Sequence, residues 1–92
     1  LCAGSGGSFL DEAINFGADV FVTSDLRHHT ASDAIERARA LGRKFALIDI
    51  SHWAAEALWL EVAAKQLAEA VPDVKFVVSD LRTDPWDFAV TQ

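Results

Sequence analysis

The 92-residue sequence has little of what marks several classes of protein. Its single cysteine, Cys2, excludes an internal disulfide and suits a reducing cytoplasm. Two prolines and 24% charged residues, beside 51% hydrophobic residues, exclude a disordered chain. The most apolar stretch, residues 53–71, is interrupted by charged side chains and is too polar for a membrane span.

Basic residues are also scarce. Eight Lys and Arg stand against 14 Asp and Glu, a formal net charge of −6. A protein that binds nucleic acid needs a basic surface to neutralise phosphates, and no basic stripe is present here. No signal peptide is recognisable. We therefore expect a cytoplasmic protein that binds neither nucleic acid nor membrane.

The N-terminal residues indicate a chain that starts inside a fold. Leu1 to Gly4 is typical of the end of a strand that runs into a glycine loop, and the sequence contains no methionine. We expect residues 1–92 to be a single α/β domain, the C-terminal part of a longer chain whose N-terminal part is missing.

Apolar runs of strand length alternate with segments of helical periodicity. The predicted order is β-α-β-α-β-α-β, with helices that begin at residues 9, 31 and 52 and strands that end near residues 3, 23, 48 and 78. Such alternation predicts a mainly parallel sheet flanked by helices. The helix over residues 52–70 is apolar on most sides, so we expect an absent half or another subunit to cover it.

Polar side chains are concentrated at the predicted carboxyl ends of the strands, where ligands bind in sheets of this kind. At the third strand, His52 and Glu56 lie four residues apart at the start of a helix, with Ser51 as a good N-cap. An imidazole and a carboxylate on one helix face can chelate a divalent metal. The alternative is a solvated polar pair.

The second strand is followed by Asp25, His28 and His29, side chains that can bind metal or move protons. Alternatively, Thr30 or Ser32 caps the next helix while these side chains satisfy backbone groups in the loop. The glycine loop over residues 4–8 lets backbone N–H groups approach an anion, although its spacing fits no nucleotide motif and a tight turn without a ligand is an equal alternative.

Three motifs in this order, Cys2 to Ser8, Thr23 to His29 and Ile48 to Glu56, resemble the C-terminal half of the NGG-one-interacting-factor-three-like family. The resemblance extends to the tail at Ser79 to Trp86. Members of this family are often described as dinuclear metal-binding proteins or GTP cyclohydrolase I type 2 homologues. Two motifs depart from the usual family pattern, because Ser24 and Ser51 each replace a glycine.

The resemblance implies that His52 and Glu56 are ligands of a site with two divalent metal ions such as Zn, Fe or Mn, and that the remaining ligands lie in the absent N-terminal half. It implies that Asp25, with His28 or His29, lines the site and handles protons. The implied function is a metal-dependent hydrolase with a nucleotide-like small-molecule substrate, in a ring-like homo-oligomer. The alternative is a non-catalytic metal-binding scaffold or regulatory protein that oligomerises.

Overall fold

The structure is a computed structural model that describes residues 1–88, 90 and 91. A short 3-10 turn, Gly7–Phe9, leads into the first helix. The elements that follow are α1 (Leu10–Phe16), β1 (Val20–Ser24), α2 (His28–Ala40), β2 (Ala46–Ile50) and α3 (His52–Ala70). Helices flank a small parallel sheet, so the predicted α/β class is confirmed.

The sheet places the carboxyl ends of its strands side by side. β1 and β2 pair in parallel, with Val20 opposite Ala46 and Ser24 opposite Ile50. The N-terminal residues run along β1 as well, because the Cys2 N–H donates to the carbonyl of Val22 and Ser5 forms a parallel bridge with Ser24. The first predicted strand is therefore present as backbone pairing, although it is too short to form a regular strand.

The predicted fourth strand, residues 74–78, is not formed. A strand requires a neighbouring strand to satisfy its backbone groups. Here the segment lies against α3 instead, where Phe76 and Val78 are half-buried beside Leu60 and Ala63. The apolar side chains of this segment thus pack on a helix, and its backbone does not join the sheet.

Three elements share the core. Leu10 and Ile14 of α1 and Ala34 and Ala38 of α2 are buried against Phe21 of β1. Each helix contributes residues four apart, which lie on one face, and the small alanines let α2 approach closely. This packing holds α1 and α2 near β1, and so fixes where the polar ends of these elements meet.

The helix boundaries follow local chemistry. Gly17 ends α1 with φ of 86° and donates its N–H to the carbonyls of Ala13 and Ile14, as predicted for a glycine C-cap. α2 begins at His28, three residues earlier than predicted, and no side chain caps it. His28 and His29 therefore belong to the first turn of the helix rather than to the preceding loop.

The long helix α3 leaves much of its apolar surface exposed. Leu58 is 80% exposed, Trp59 63% and Val62 52%, whereas Ala63 is buried. The radius of gyration is 17.1 Å. A compact domain of this length is expected near 12 Å. The described residues thus do not cover the apolar face of α3, as expected for a helix that is apolar on most of its sides. In the same part of the chain, no helix is both long and apolar enough to cross a membrane.

We predict that this surface drives self-association of the chain, because large exposed apolar patches are rare on monomers. Trp59→Glu should shift the mass distribution measured by light scattering toward smaller species. Gln66→Glu is the matched control, since it adds the same charge at an exposed polar position of α3 and should leave the distribution unchanged. A wild-type chain that is monomeric at micromolar concentration would contradict the prediction.

Candidate functional site at the start of the third helix

The start of α3 is fixed by the side chain of Ser51. Its Oγ accepts a hydrogen bond from the N–H of Ala54 at 3.2 Å, so Ser51 is the N-cap that the sequence predicts. His52 is then the first residue of the helix, and Glu56 lies one turn later on the same face. His52 Nε2 and Glu56 Oε1 are 3.0 Å apart.

The second strand end brings a third side chain to this pair. Asp25 follows β1 directly, and its Oδ2 lies 2.5 Å from His52 Nδ1. Its backbone has a φ of 56°, a left-handed conformation that is uncommon for residues other than glycine. The turn is held in place by the neighbouring strand, because the N–H of Leu26 donates to Asp49 Oδ1 at 3.3 Å.

Both ring nitrogens of His52 thus face a carboxylate. The hydrogen bond with Asp25, followed by the one with Glu56, raises the pKa of His52 above its usual value, since both partners stabilise the imidazolium. The His52 side chain is 39% exposed and both carboxylates are 57% exposed. The cluster is therefore open to solvent on one side.

The glycine loop closes another side of the cluster. A Cβ atom added at Gly4 would lie 2.9 Å from Glu56 Oε1 and 3.4 Å from His52 Nε2, so a larger residue here would displace the carboxylate from the imidazole. Two buried hydroxyls at the end of β1 hold the loop here. Thr23 donates to the carbonyl of Gly4, and Ser24 donates to that of Ala3, each at 2.9 Å.

With this geometry established, the chain can be compared with known proteins. The sequence profile of Duf34/NIF3 (NGG1p interacting factor 3) matches residues 1–85. The chain belongs to the Duf34/NIF3 family. The resemblance inferred from the three motifs is thereby confirmed.

Relatives in several bacteria carry one description. The chain is 44% identical over 90 residues to a protein of Streptomyces coelicolor named GTP cyclohydrolase 1 type 2 homolog, covering 94% of this chain and 30% of that protein. A protein of the same name from Mycobacterium leprae is 41% identical over 88 residues, covering 95% of this chain and 22% of the relative. The chain thus spans less than a third of the length of these relatives.

A solved structure has the same fold. The crystal structure of a Bacillus cereus protein related to NIF3 superposes with a TM-score of 0.77 at 32% identity, covering 94% of this chain and 23% of that one. The α/β arrangement described above is therefore shared with part of this larger protein.

Not all of the residues predicted for the site of this Duf34/NIF3 chain come together. The structure joins Asp25, His52 and Glu56. His28 and His29 lie in the first turn of α2 with their ring centroids 5.4 Å apart. Within the described residues, neither histidine forms a hydrogen bond or ion pair with His52 or Glu56.

Two residues contribute to this place in ways that the sequence does not predict. The sequence predicts for the loop of Gly4 either an approach to an anion or a tight turn, whereas in the structure Gly4 lies against His52 and Glu56. Asp84 accepts a hydrogen bond from Ser51 Oγ at 2.8 Å, and so ties the C-terminal tail to the cap of α3. The signal for Asp84 was its place in the tail that resembles the family, but no local pattern pairs it with Ser51.

The cluster offers a metal ion two ligands at most. Asp25 meets Nδ1 and Glu56 meets Nε2, and these nitrogens point to different sides of the imidazole ring. One ion therefore cannot contact His52 together with both carboxylates. Across residues 1–88, 90 and 91, no group of three or more His, Cys, Asp and Glu side chains is arranged to hold a metal.

We predict that Asp25→Asn lowers the pKa of His52 in metal-free protein, and lowers it further than Glu56→Gln does. Asp25 makes the larger contribution to the raised pKa, and removing a carboxylate destabilises the imidazolium. NMR titration of the imidazole measures the effect. Asp11→Asn is the control, because Asp11 pairs with Arg37 and should leave His52 unaffected. An unchanged pKa in Asp25→Asn would contradict the assignment.

Proposed function

We propose that His52 and Glu56 supply two ligands to a divalent metal centre in a metal-dependent hydrolase of which these 92 residues form one part. Support comes from the geometry of the pair and from membership of the Duf34/NIF3 family. The relatives named GTP cyclohydrolase 1 type 2 homolog support a nucleotide as the substrate. The remaining ligands would come from outside the chain.

The distance between the two side chains fits shared coordination. Nitrogen and oxygen ligands lie about 2.0–2.2 Å from zinc, so two neighbouring ligands of one ion are about 2.8–3.1 Å apart in octahedral geometry and about 3.3–3.6 Å apart in tetrahedral geometry. His52 Nε2 and Glu56 Oε1, 3.0 Å apart, match the octahedral spacing. This separation is the observation that carries the proposal.

Asp25 fits a supporting position in such a centre. A histidine that binds metal through one nitrogen commonly donates the other N–H to a carboxylate, which fixes the tautomer and the orientation of the ring. With a proton held at Nδ1 by Asp25 Oδ2, the lone pair of Nε2 is left for the metal. We propose this positioning role for Asp25 in addition to the proton handling predicted from the sequence.

A pair of divalent ions would contribute Lewis acidity, which lowers the pKa of water and polarises the bond under attack. The chain itself contributes the negative charge of Glu56, which would offset the cations, and the glycine loop, which leaves room for the ligands. Because His28 and His29 lie at the same edge of the fold, we retain them as candidate proton carriers.

The second candidate is a non-catalytic metal-binding scaffold that works as a ring-like homo-oligomer. The exposed apolar face of α3, with Trp59 at its centre, favours an assembly role. Turnover separates the two candidates. The hydrolase proposal expects metal-dependent hydrolysis of GTP or another nucleotide by the full-length protein, abolished by EDTA and restored by the metal. Binding of metal without any turnover would favour the scaffold.

We predict that His52→Ala and Glu56→Gln each lower the metal content of the full-length protein by at least about tenfold, since even supporting residues have effects on this scale. Glu56→Gln keeps the volume of the side chain and removes only its charge. Elemental analysis of purified protein measures the loss.

Glu61→Gln provides the control for this pair. Glu61 is exposed on the opposite side of α3, so the substitution should leave the metal content intact. The melting temperature of metal-free protein should change little in all three variants, because their side chains are partly or fully exposed. Full metal content in both His52→Ala and Glu56→Gln would show that these residues are not ligands.

We further predict that Gly4→Ala weakens metal binding several-fold. The added Cβ would push the Glu56 carboxylate, the end of a flexible side chain, away from His52 while leaving the fold intact. Gly7→Ala is the matched control, because its Cβ would meet only Leu26 at 4.0 Å. Metal titration of the full-length variants compares the two, and equal affinities would argue against a ligand pair at this place.

A further inference from the structure

A small polar cavity lies beside the candidate metal ligands. It has a volume of about 290 Å³ and opens between the glycine loop and the start of α2. Six residues line it: Ser5, Gly7, Ser8, Asp25, Arg27 and Thr30. Of these six residues, only Asp25 takes part in the proposed metal centre.

Arg27 is the cation of this cavity. Among the described residues it makes no ion pair, although the chain has 14 carboxylate side chains and a net charge of −6. The other arginines have partners: Arg37 pairs with Asp11, Arg39 with Glu36, Arg43 with the carbonyl of Ile14 and Arg82 with the carbonyl of Trp86. A guanidinium left without a carboxylate in an acidic protein is available to an anionic ligand.

Hydroxyl groups complete the donor set. Ser5, Ser8 and Thr30 line the same cavity. All three are exposed, and in the part of the chain that the structure describes their side chains make no hydrogen bond with protein atoms, so their hydroxyls are open to a ligand. An arginine and three hydroxyl residues that line one cavity suit a phosphate group, whose oxygens accept several hydrogen bonds and match the planar fork of arginine.

The cavity lies next to the candidate metal ligands, because Asp25 and the glycine loop belong to both places. Asp25 lines the cavity and also contacts His52 Nδ1. Gly4 lies against Glu56, and the next residue, Ser5, already lines the cavity. The carboxylate of Asp25 opposes an anion, but its Oδ2 is engaged by His52. A ligand bound in this cavity would therefore lie next to the candidate metal ligands.

We propose that this cavity is the subsite for the phosphate group of the substrate, with Arg27 as its principal binding residue. The proposal rests on the proposed function for the neighbouring metal centre, and it narrows the substrate class to phosphate esters, nucleotides among them. Arg27 acts by charge and hydrogen bonding, and Ser5, Ser8 and Thr30 supply additional donors.

The test is calorimetric titration of full-length, EDTA-treated protein with inorganic phosphate, guanosine monophosphate and guanosine. Without metal, the titration reports on the cavity alone. We expect both phosphates to bind and guanosine to bind at least tenfold more weakly than its monophosphate. Arg27→Gln should weaken phosphate binding at least tenfold, and Ser8→Ala several-fold. Arg39→Gln, in the last turn of α2, is the control and should bind as wild type does.

Metal content distinguishes failure of this proposal from failure of the proposed function. Arg27→Gln should keep the metal content of wild type, because Arg27 contacts neither His52 nor Glu56 in the described structure. The subsite is overturned if wild type and Arg27→Gln bind phosphate equally, if neither phosphate binds at millimolar concentration, or if guanosine binds as tightly as its monophosphate. Metal retained in His52→Ala would refute the metal centre and leave the titration results to stand by themselves.

Discussion

The candidate site depends on one interaction, the contact of His52 with the carboxylates of Asp25 and Glu56. The imidazole is held at the first residue of α3, with Asp25 at 2.5 Å from one nitrogen and Glu56 at 3.0 Å from the other. Each of the three comes from a position that the fold fixes independently: a strand end, a helix start and the next helical turn. The parallel pair of β1 and β2, followed by the capped helix α3, holds them together.

The residues around this contact leave space for the three side chains and fix the loop beside them. Buried hydroxyls of Thr23 and Ser24 fasten the glycine loop, and Gly4 in that loop leaves space for the carboxylate of Glu56. The same loop forms one wall of the polar cavity that contains Arg27. The proposed metal-binding pair and the proposed phosphate subsite thus lie next to each other, as expected for a substrate that carries a phosphate group close to the bond to be cleaved.

The sequence correctly predicted the features of the fold that depend on residues close together in the chain. The N-cap Ser51, the pair of His52 and Glu56 on one helical face and the C-cap Gly17 all depend on neighbours within one turn. The contact between Asp25 and His52 spans 27 residues and requires strand pairing together with a left-handed backbone at Asp25, neither of which a spacing rule supplies. Residues 74–78 have the composition of a strand, but among the described residues they pack against α3 and have no neighbouring strand. The strand predicted from their hydrophobicity was therefore wrong.

The most direct test of the central claim is a crystal structure of the full-length protein with data collected at the absorption edge of the metal found by elemental analysis. The account predicts an anomalous peak about 2.0–2.2 Å from both His52 Nε2 and a carboxylate oxygen of Glu56, with the hydrogen bond between Asp25 and His52 Nδ1 preserved. Metal peaks located elsewhere, with His52 and Glu56 still paired only with each other, would contradict it.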